Sequence, residues 1–126
     1  MSEKKKILVV DDEPDVLKWL TILFENNGYV VISALDGFEG FEKAEAESPD
    51  LITLDITMPK ESGIRMYRNL HESKTLSGVP VIMLTGVSPE FERFISTRKQ
   101  VNPPAAYFEK PVNDQELLAK VKELIG

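Results

Sequence analysis

Leu51-Ile52-Thr53-Leu54-Asp55-Ile56-Thr57-Met58-Pro59 is an apolar run that meets a charge and then a proline. A short run of this kind, bounded by turn residues, reads as a strand buried on both faces. Pro59 forbids a simple continuation of either strand or helix. A carboxylate at the C-terminal end of a buried strand is costly unless something pairs with it. In open α/β sheets that end of the strands is where ligands bind. The question is therefore what surrounds Asp55.

Three further segments resemble the first. Ile7-Leu8-Val9-Val10 runs into Asp11-Asp12, residues 79–84 run into Thr85, and residues 105–109 run into Lys110-Pro111. Residues 29–34 complete a set of five predicted strands. Helical spacing fills the intervals. After Pro14, which suits a first helical turn, Val16, Leu17, Leu20, Leu23 and Phe24 form one apolar stripe, closed by Asn27-Gly28. Trp19 lies at the edge of that stripe and Ile22 on the opposite face. Asp36 and Glu39 resemble a capping box for a helix from about Gly37 to Glu47, with Phe38, Phe41 and Ala44 facing inward. A third helix is predicted near residues 64–72, with Ile64, Met66 or Leu70, and Tyr67 inward. Ser88-Pro89 opens a fourth, with Phe91, Phe94 and Ile95 buried. Asn113 and Glu116 open the last, carried by Leu117, Leu118, Val121, Leu124 and Ile125.

Strands alternating with helices at this spacing predict βαβ units and one parallel sheet covered on both faces. Right-handed crossovers leave few topologies. A doubly wound five-stranded sheet in the order 2-1-3-4-5, a (βα)5 flavodoxin-like fold, places its switch point between the first and third strands. Asp11, Asp12 and Asp55 then share one crevice.

The chain has 126 residues, 42% hydrophobic and 29% charged, which suits one domain over residues 1–126 with a real core. A net charge of −6 argues against direct nucleic-acid binding or an anionic membrane surface as the main task. No cysteine is present, which removes disulfides, thiolate metal sites and cysteine nucleophiles, and fits a reducing cytoplasm. The apolar run after Met1-Ser2-Glu3-Lys4-Lys5-Lys6 is too short for a signal peptide or a membrane span, so no membrane insertion is expected.

Every polar residue singled out so far sits at the C-terminal end of a strand. Three carboxylates at one sheet edge repel one another, and Lys110 offsets only one of them. A divalent metal would offset the rest. Oxygen-only ligands, with no histidine or cysteine among them, favour a hard ion, and a sparse site completed by water suits Mg²⁺. A carboxylate can act as a nucleophile toward phosphorus, and phosphoryl transfer requires neutralisation of the equatorial oxygens. Lys110, the Thr85 hydroxyl and the metal could each meet one such oxygen. No glycine-rich phosphate loop is present, so the donor is expected to be a separate molecule.

At this point the residues resemble a known family. Asp11-Asp12, Leu54-Asp55-Ile56-Thr57-Met58-Pro59 with Gly63, Thr85, and Lys110-Pro111 preceded by Tyr107 are similar, in order and spacing, to the receiver domain of two-component response regulators. Each piece alone is weak, and the ordered set across nearly the whole chain is specific. The resemblance implies a phosphorylation-activated signalling switch with Asp55 as phosphoacceptor. It implies that Asp12 binds Mg²⁺ directly, Asp11 mostly through water, and the Thr57 carbonyl as a further ligand beside Asp55. Lys110 is implied to pair with Asp55 and then with the phosphoryl group. Thr85 and Tyr107 are implied to be the switch pair, Tyr107 swinging into the space Thr85 vacates. The Lys110–Pro111 peptide is implied to be cis. The implied partners are a sensor histidine kinase or histidine phosphotransfer protein, and a downstream protein or output domain. The chain is expected to be either a stand-alone receiver or a piece of a longer regulator.

Two alternatives stand beside this reading. One is a Mg²⁺-dependent phosphatase with an aspartyl nucleophile, which usually carries a second acid two residues on, where this chain has Thr57. The other is a receiver-like interaction module that is never phosphorylated. Singly, the site residues also have plainer readings: Asp11 or Asp12 could cap the first helix, and Lys110 could be a structural counter-ion. The sole histidine, His71, reads as a solvated surface residue. The chain departs from the family between Thr85 and Lys110, which lie 25 residues apart, more than is usual. There Val101-Asn102-Pro103-Pro104-Ala105-Ala106 replaces the usual small Gly-Ala, so the family's common dimer mode is not carried over.

Overall fold

The structure, a computed structural model, describes residues 4–58, 62–86 and 104–126. Five strands, β1 (Lys6–Val10), β2 (Val30–Ala34), β3 (Leu51–Asp55), β4 (Val81–Thr85) and β5 (Ala106–Glu109), form one sheet in the order β2-β1-β3-β4-β5. All four pairings are parallel. Four helices are described: α1 (Pro14–Glu25), α2 (Gly37–Glu47), α3 (Ser62–Glu72) and α4 (Asp114–Ile125). The expected helix around Phe91, Phe94 and Ile95 lies outside the described residues. Among the described residues no helix is long and apolar enough to cross a membrane.

The apolar runs become strands because both faces of the sheet are covered. Every residue of β3 and β4 is buried. One face packs Leu8, Val10, Ile52, Leu54 and Met83 against α2 and α3, through Ala44, Ile64, Met66, Tyr67 and Leu70. The other packs Ile7, Val9, Leu51, Ile82 and Leu84 against Leu17, Leu20 and Phe24 of α1 and Leu117 and Val121 of α4. Each fully buried aliphatic or aromatic side chain contributes about 1.5–3 kcal/mol. The core therefore offsets the several kcal/mol that each buried carboxylate costs.

The helix boundaries follow their caps. Asp36 accepts a hydrogen bond from the Glu39 amide at 2.8 Å, as the capping pattern predicts, and Asn113 accepts from Glu116 at 3.0 Å. Glu39 reaches back to the amide of Leu35 rather than to Asp36. Gly28, at φ +90°, terminates the turn after α1.

Two expectations are corrected here. Phe38 does not face inward; it is 54% exposed. The buried face of α2 is Gly37, Gly40 and Ala44, small residues that let α2 lie close against Met66 and Val10. His71 is not a freely solvated side chain. It is half-buried and packs edge-on against Tyr67 at 4.4 Å between ring centroids, and burial lowers its pKa.

Register carries the chemistry to one edge. Val10 pairs with Leu54, Asp55 with Leu84, and Thr85 with Glu109. Asp11, Asp55, Thr85 and Lys110 therefore all emerge at the C-terminal edge of the sheet.

Candidate functional site

Asp55 ends β3 and is 1% exposed. Its two oxygens have separate company. Oδ1 accepts from the Thr57 amide at 2.8 Å and from the Thr57 hydroxyl at 2.6 Å. Oδ2 lies 3.3 Å from Lys110 Nζ. Asp11, fully buried at the end of β1, takes the shorter bond from Lys110, 2.9 Å to Oδ2. Its Oδ1 accepts from the Glu13 amide at 2.9 Å, turning the chain into α1. Neither Asp11 nor Asp12 is the N-cap of α1; that position is Glu13, whose side chain makes no capping bond.

Lys110 stands just beyond β5, and its amide donates to the Thr85 carbonyl at 2.8 Å, tying the ends of β4 and β5 together. Its ammonium is shared among three acids, the third being Glu13 at 3.6 Å. Burial disfavours the Lys110 charge, but the hydrogen bond it donates to Asp11 and the fields of Asp55 and Asp11 outweigh it, so its pKa is raised. Lys110 remains charged throughout the physiological range.

Asp11 shows the opposite imbalance. Burial lifts its pKa from 3.8 to about 6, the Asp55 charge adds to the rise, and the Glu13 amide and Lys110 offset only part of it. One ammonium does not neutralise this edge. Ligand oxygens of Asp11, Asp12, Glu13 and Asp55 lie within 4.8 Å of one another. An all-oxygen donor set with surplus negative charge, partly buried and partly open through Asp12, fits a hard divalent cation such as Mg²⁺.

A pH dependence follows for the metal-free protein. Asp11 holds its proton up to about pH 6 when folded and to about 3.8 when unfolded. Within that window the folded state binds more protons, so stability falls as pH rises, by on the order of 3 kcal/mol in all. Urea unfolding in a chelating buffer is expected to show a higher midpoint near about pH 5 than near about pH 7.5. Asp11→Asn should flatten that difference; an unchanged slope would show that the dependence arises elsewhere.

The other predicted residues are placed as follows. Thr85 ends β4, fully buried, and its hydroxyl donates to the Gly86 carbonyl at 2.6 Å. Tyr107 is 37% exposed on β5, its hydroxyl donating to Glu109 at 3.4 Å. The Lys110–Pro111 peptide is cis, as the resemblance implies. Thr57 holds Asp55 through its amide and hydroxyl, a role that sequence reasoning missed because it weighed Thr57 as a carbonyl ligand and as a neighbour of the attacking water, not as a partner of Asp55. Glu13 was missed as well. It is the next residue in an unbroken acidic run, and that continuity was the available sign. Trp19, expected at the edge of its stripe, lines a cavity of about 390 Å³ with Lys110, Pro111 and Val112.

Comparison with known proteins agrees with this geometry. The family model for the response regulator receiver domain matches residues 7–122. The alkaline phosphatase synthesis transcriptional regulatory protein PhoP of Bacillus subtilis is 40% identical over 121 residues, 96% of this chain and 48% of that protein. Protein PilH of Pseudomonas aeruginosa is 32% identical over 121 residues, 96% of this chain and 98% of PilH. The chain thus spans about half the length of PhoP and nearly all of PilH. Among solved structures, a CheY-like response regulator receiver domain protein from Methanospirillum hungatei has a TM-score of 0.82 at 34% identity, covering 96% of this chain and 93% of that one. Fold, ordered strand-end residues and family match converge, and the chain belongs to the response regulator receiver domain family of two-component signalling.

Proposed function

We propose that this chain is a phosphorylation-activated switch in which Asp55 accepts a phosphoryl group from a sensor histidine kinase or a histidine phosphotransfer protein. The observation that carries the reading is the environment of Asp55: a buried carboxylate at a strand end, one oxygen fixed by Thr57 and the other beside Lys110. An Asp55 oxygen attacks phosphorus, the bond from phosphorus to the donor nitrogen breaks, and the imidazole leaves with the electron pair. Thr57 holds the carboxylate so that one oxygen is presented, which lowers the entropic part of the barrier. Lys110, already within reach, meets an oxygen of the transferring group. Asp11, Asp12, Asp55 and the Thr57 carbonyl would hold Mg²⁺, with Glu13 at the rim; when bound, the ion supplies charge neutralisation at the phosphoryl oxygens. Rotation of the Thr85 hydroxyl from Gly86 to the phosphoryl group, with Tyr107 moving inward, would then shift the conformational equilibrium. The switched surface would act on a downstream protein or output domain in the cytoplasm.

Incubating the chain with Mg²⁺ and a small acyl phosphate tests this directly. One phosphoryl equivalent per chain is expected, with a change in Trp19 fluorescence. Many turnovers would favour an aspartyl phosphatase instead, and no uptake at all would favour a receiver-like module that works without phosphorylation.

The lifetime of the phosphorylated state is a separate expectation. In the family, the residues two after the phosphoacceptor and two after the strand-end threonine flank the attacking water; here they are Thr57 and Val87, the latter outside the described residues. Val87 cannot hydrogen-bond a water, so self-dephosphorylation is expected to be slow. Val87→Glu or Val87→Asn should accelerate hydrolysis by about tenfold, well short of a full general-base effect. Equal decay of wild type and both variants, followed by loss of the phosphoryl group, would sink the idea.

A further inference from the structure

The groove between α2 and α3, about 210 Å³, lies on the opposite face of the sheet from α1 and α4. Phe38 and Phe41 stand on its α2 side and Arg65 and Ser62 on its α3 side. Phe38 is 54% exposed, and Leu35, just before α2, is 51% exposed. Single exposed apolar residues are ordinary; a large exposed aromatic on the wall of a groove needs more explanation. Ser62 is 3% exposed, and its hydroxyl has no hydrogen-bond partner among the described residues. Such an orphan costs about 1–3 kcal/mol unless something meets it.

The charges around the groove are divided by helix. α2 carries four glutamates and one lysine, whereas α3 carries two arginines and one glutamate. Glu42 and Arg65 both line the groove, both are exposed, and neither has an ion-pair partner among the described residues. Glu39 and Glu47 are paired with Lys43 and Lys6, so the groove itself sets one acid on its α2 wall, Glu42, against one base on its α3 wall, Arg65. That pattern is complementary to itself under a single symmetry. A twofold axis running along the groove lays α2 of one copy over α3 of the other, acid against base on both sides. A twofold axis across the groove would instead stack α2 on α2, glutamates against glutamates.

We propose that this groove is the contact face of a symmetric dimer of two copies of this chain. Phe38 and Phe41 on α2 of each copy lie over α3 of the other, and Glu42 of each copy faces the partner's Arg65. Such a contact is isologous and closes on itself. Exposed ion pairs add little affinity each and mainly fix orientation. The affinity is therefore modest, with a Kd on the order of 100 µM. This reading does not depend on phosphorylation at Asp55.

Sedimentation velocity of the full chain between about 10 µM and about 1 mM would test it. The 14.2 kDa monomer should give way to a species of twice that mass as concentration rises. Phe38→Glu should remain monomeric across the range. Glu42→Arg and Arg65→Glu should each raise the Kd about tenfold, because symmetry places each change at two contacts, and combining them should restore association. All three side chains are exposed, and matched thermal melts would confirm that each variant folds. A wild type that stays monomeric, or a dimer indifferent to Phe38→Glu, would overturn the proposal. A combined variant no better than the single ones would overturn the symmetry assigned to it.

Discussion

Asp55→Asn is expected to abolish phosphoryl uptake while leaving the fold intact and somewhat more stable. The amide is uncharged and its lone pairs are delocalised, so it is a poor nucleophile toward phosphorus. Its carbonyl oxygen can still accept both bonds from Thr57, which now hold Asp55 Oδ1 at 2.8 and 2.6 Å. Lys110 loses one partner but keeps its shorter bond, 2.9 Å to Asp11. The change also removes one of two buried like charges. Lys110 keeps Asp11 as its partner, so no buried charge is orphaned, and relief of the repulsion between the two carboxylates is the net effect on stability. The pKa of Asp11 should fall only part of the way from about 6, because burial, the larger cause, is untouched, and only the Asp55 field is lost. Mass spectrometry after incubation with Mg²⁺ and an acyl phosphate reads the first effect, and urea unfolding reads the second. A phosphoryl group still carried by the Asn variant would mean that Asp11 or Asp12 is the acceptor. A strongly destabilised variant would mean that the Lys110–Asp55 pair holds the edge together.

The sheet was legible because burial on both faces leaves a plain mark. Ile7-Leu8-Val9-Val10, Leu51–Asp55 and Val81–Thr85 read as largely apolar runs for the same reason that they are fully buried. The edge strand β5 is shorter and alternates between half-buried and exposed residues, a weaker pattern that its position at the sheet edge explains. The strand-end acids and Lys110 were legible from order alone, since parallel pairing sends all these ends one way. What periodicity could not show was which face of α2 packs. It favours large apolar side chains, and α2 buries Gly37, Gly40 and Ala44 instead, leaving Phe38 outside. Nor could local pattern reveal how Lys110 divides its charge. Its nearest acid, Asp11, is 99 residues away, and its third, Glu13, is one position beyond the acid pair that drew attention.

Gly63→Ala is expected to damage both stability and function, although it adds a single carbon. A Cβ on Gly63 would overlap the carbonyl oxygen of Asp55 and come within 2.8 Å of the Ile56 Cα. Both are backbone atoms, so no side chain can rotate away. The first turn of α3 must lift, or the end of β3 must move. Overpacking of this kind costs about 1–3 kcal/mol, and rigid backbone on one side places this case at the upper end. Alanine recovers at most about 1 kcal/mol through helix propensity, so a net loss of about 2 kcal/mol is expected. The functional loss should be larger than that figure suggests. Asp55 and Thr57 flank the contact, and a displacement of about 1 Å at a reacting group can cost on the order of a hundredfold in rate. Gly78→Ala is the matched control: nothing lies within 4 Å of its added carbon, and it should change stability by less than about 0.5 kcal/mol. Urea midpoints and phosphoryl uptake rates for the two variants separate the possibilities. If Gly63→Ala matched Gly78→Ala in both, the start of α3 would have to yield freely, and the close approach of that helix would not be what sets the position of Asp55.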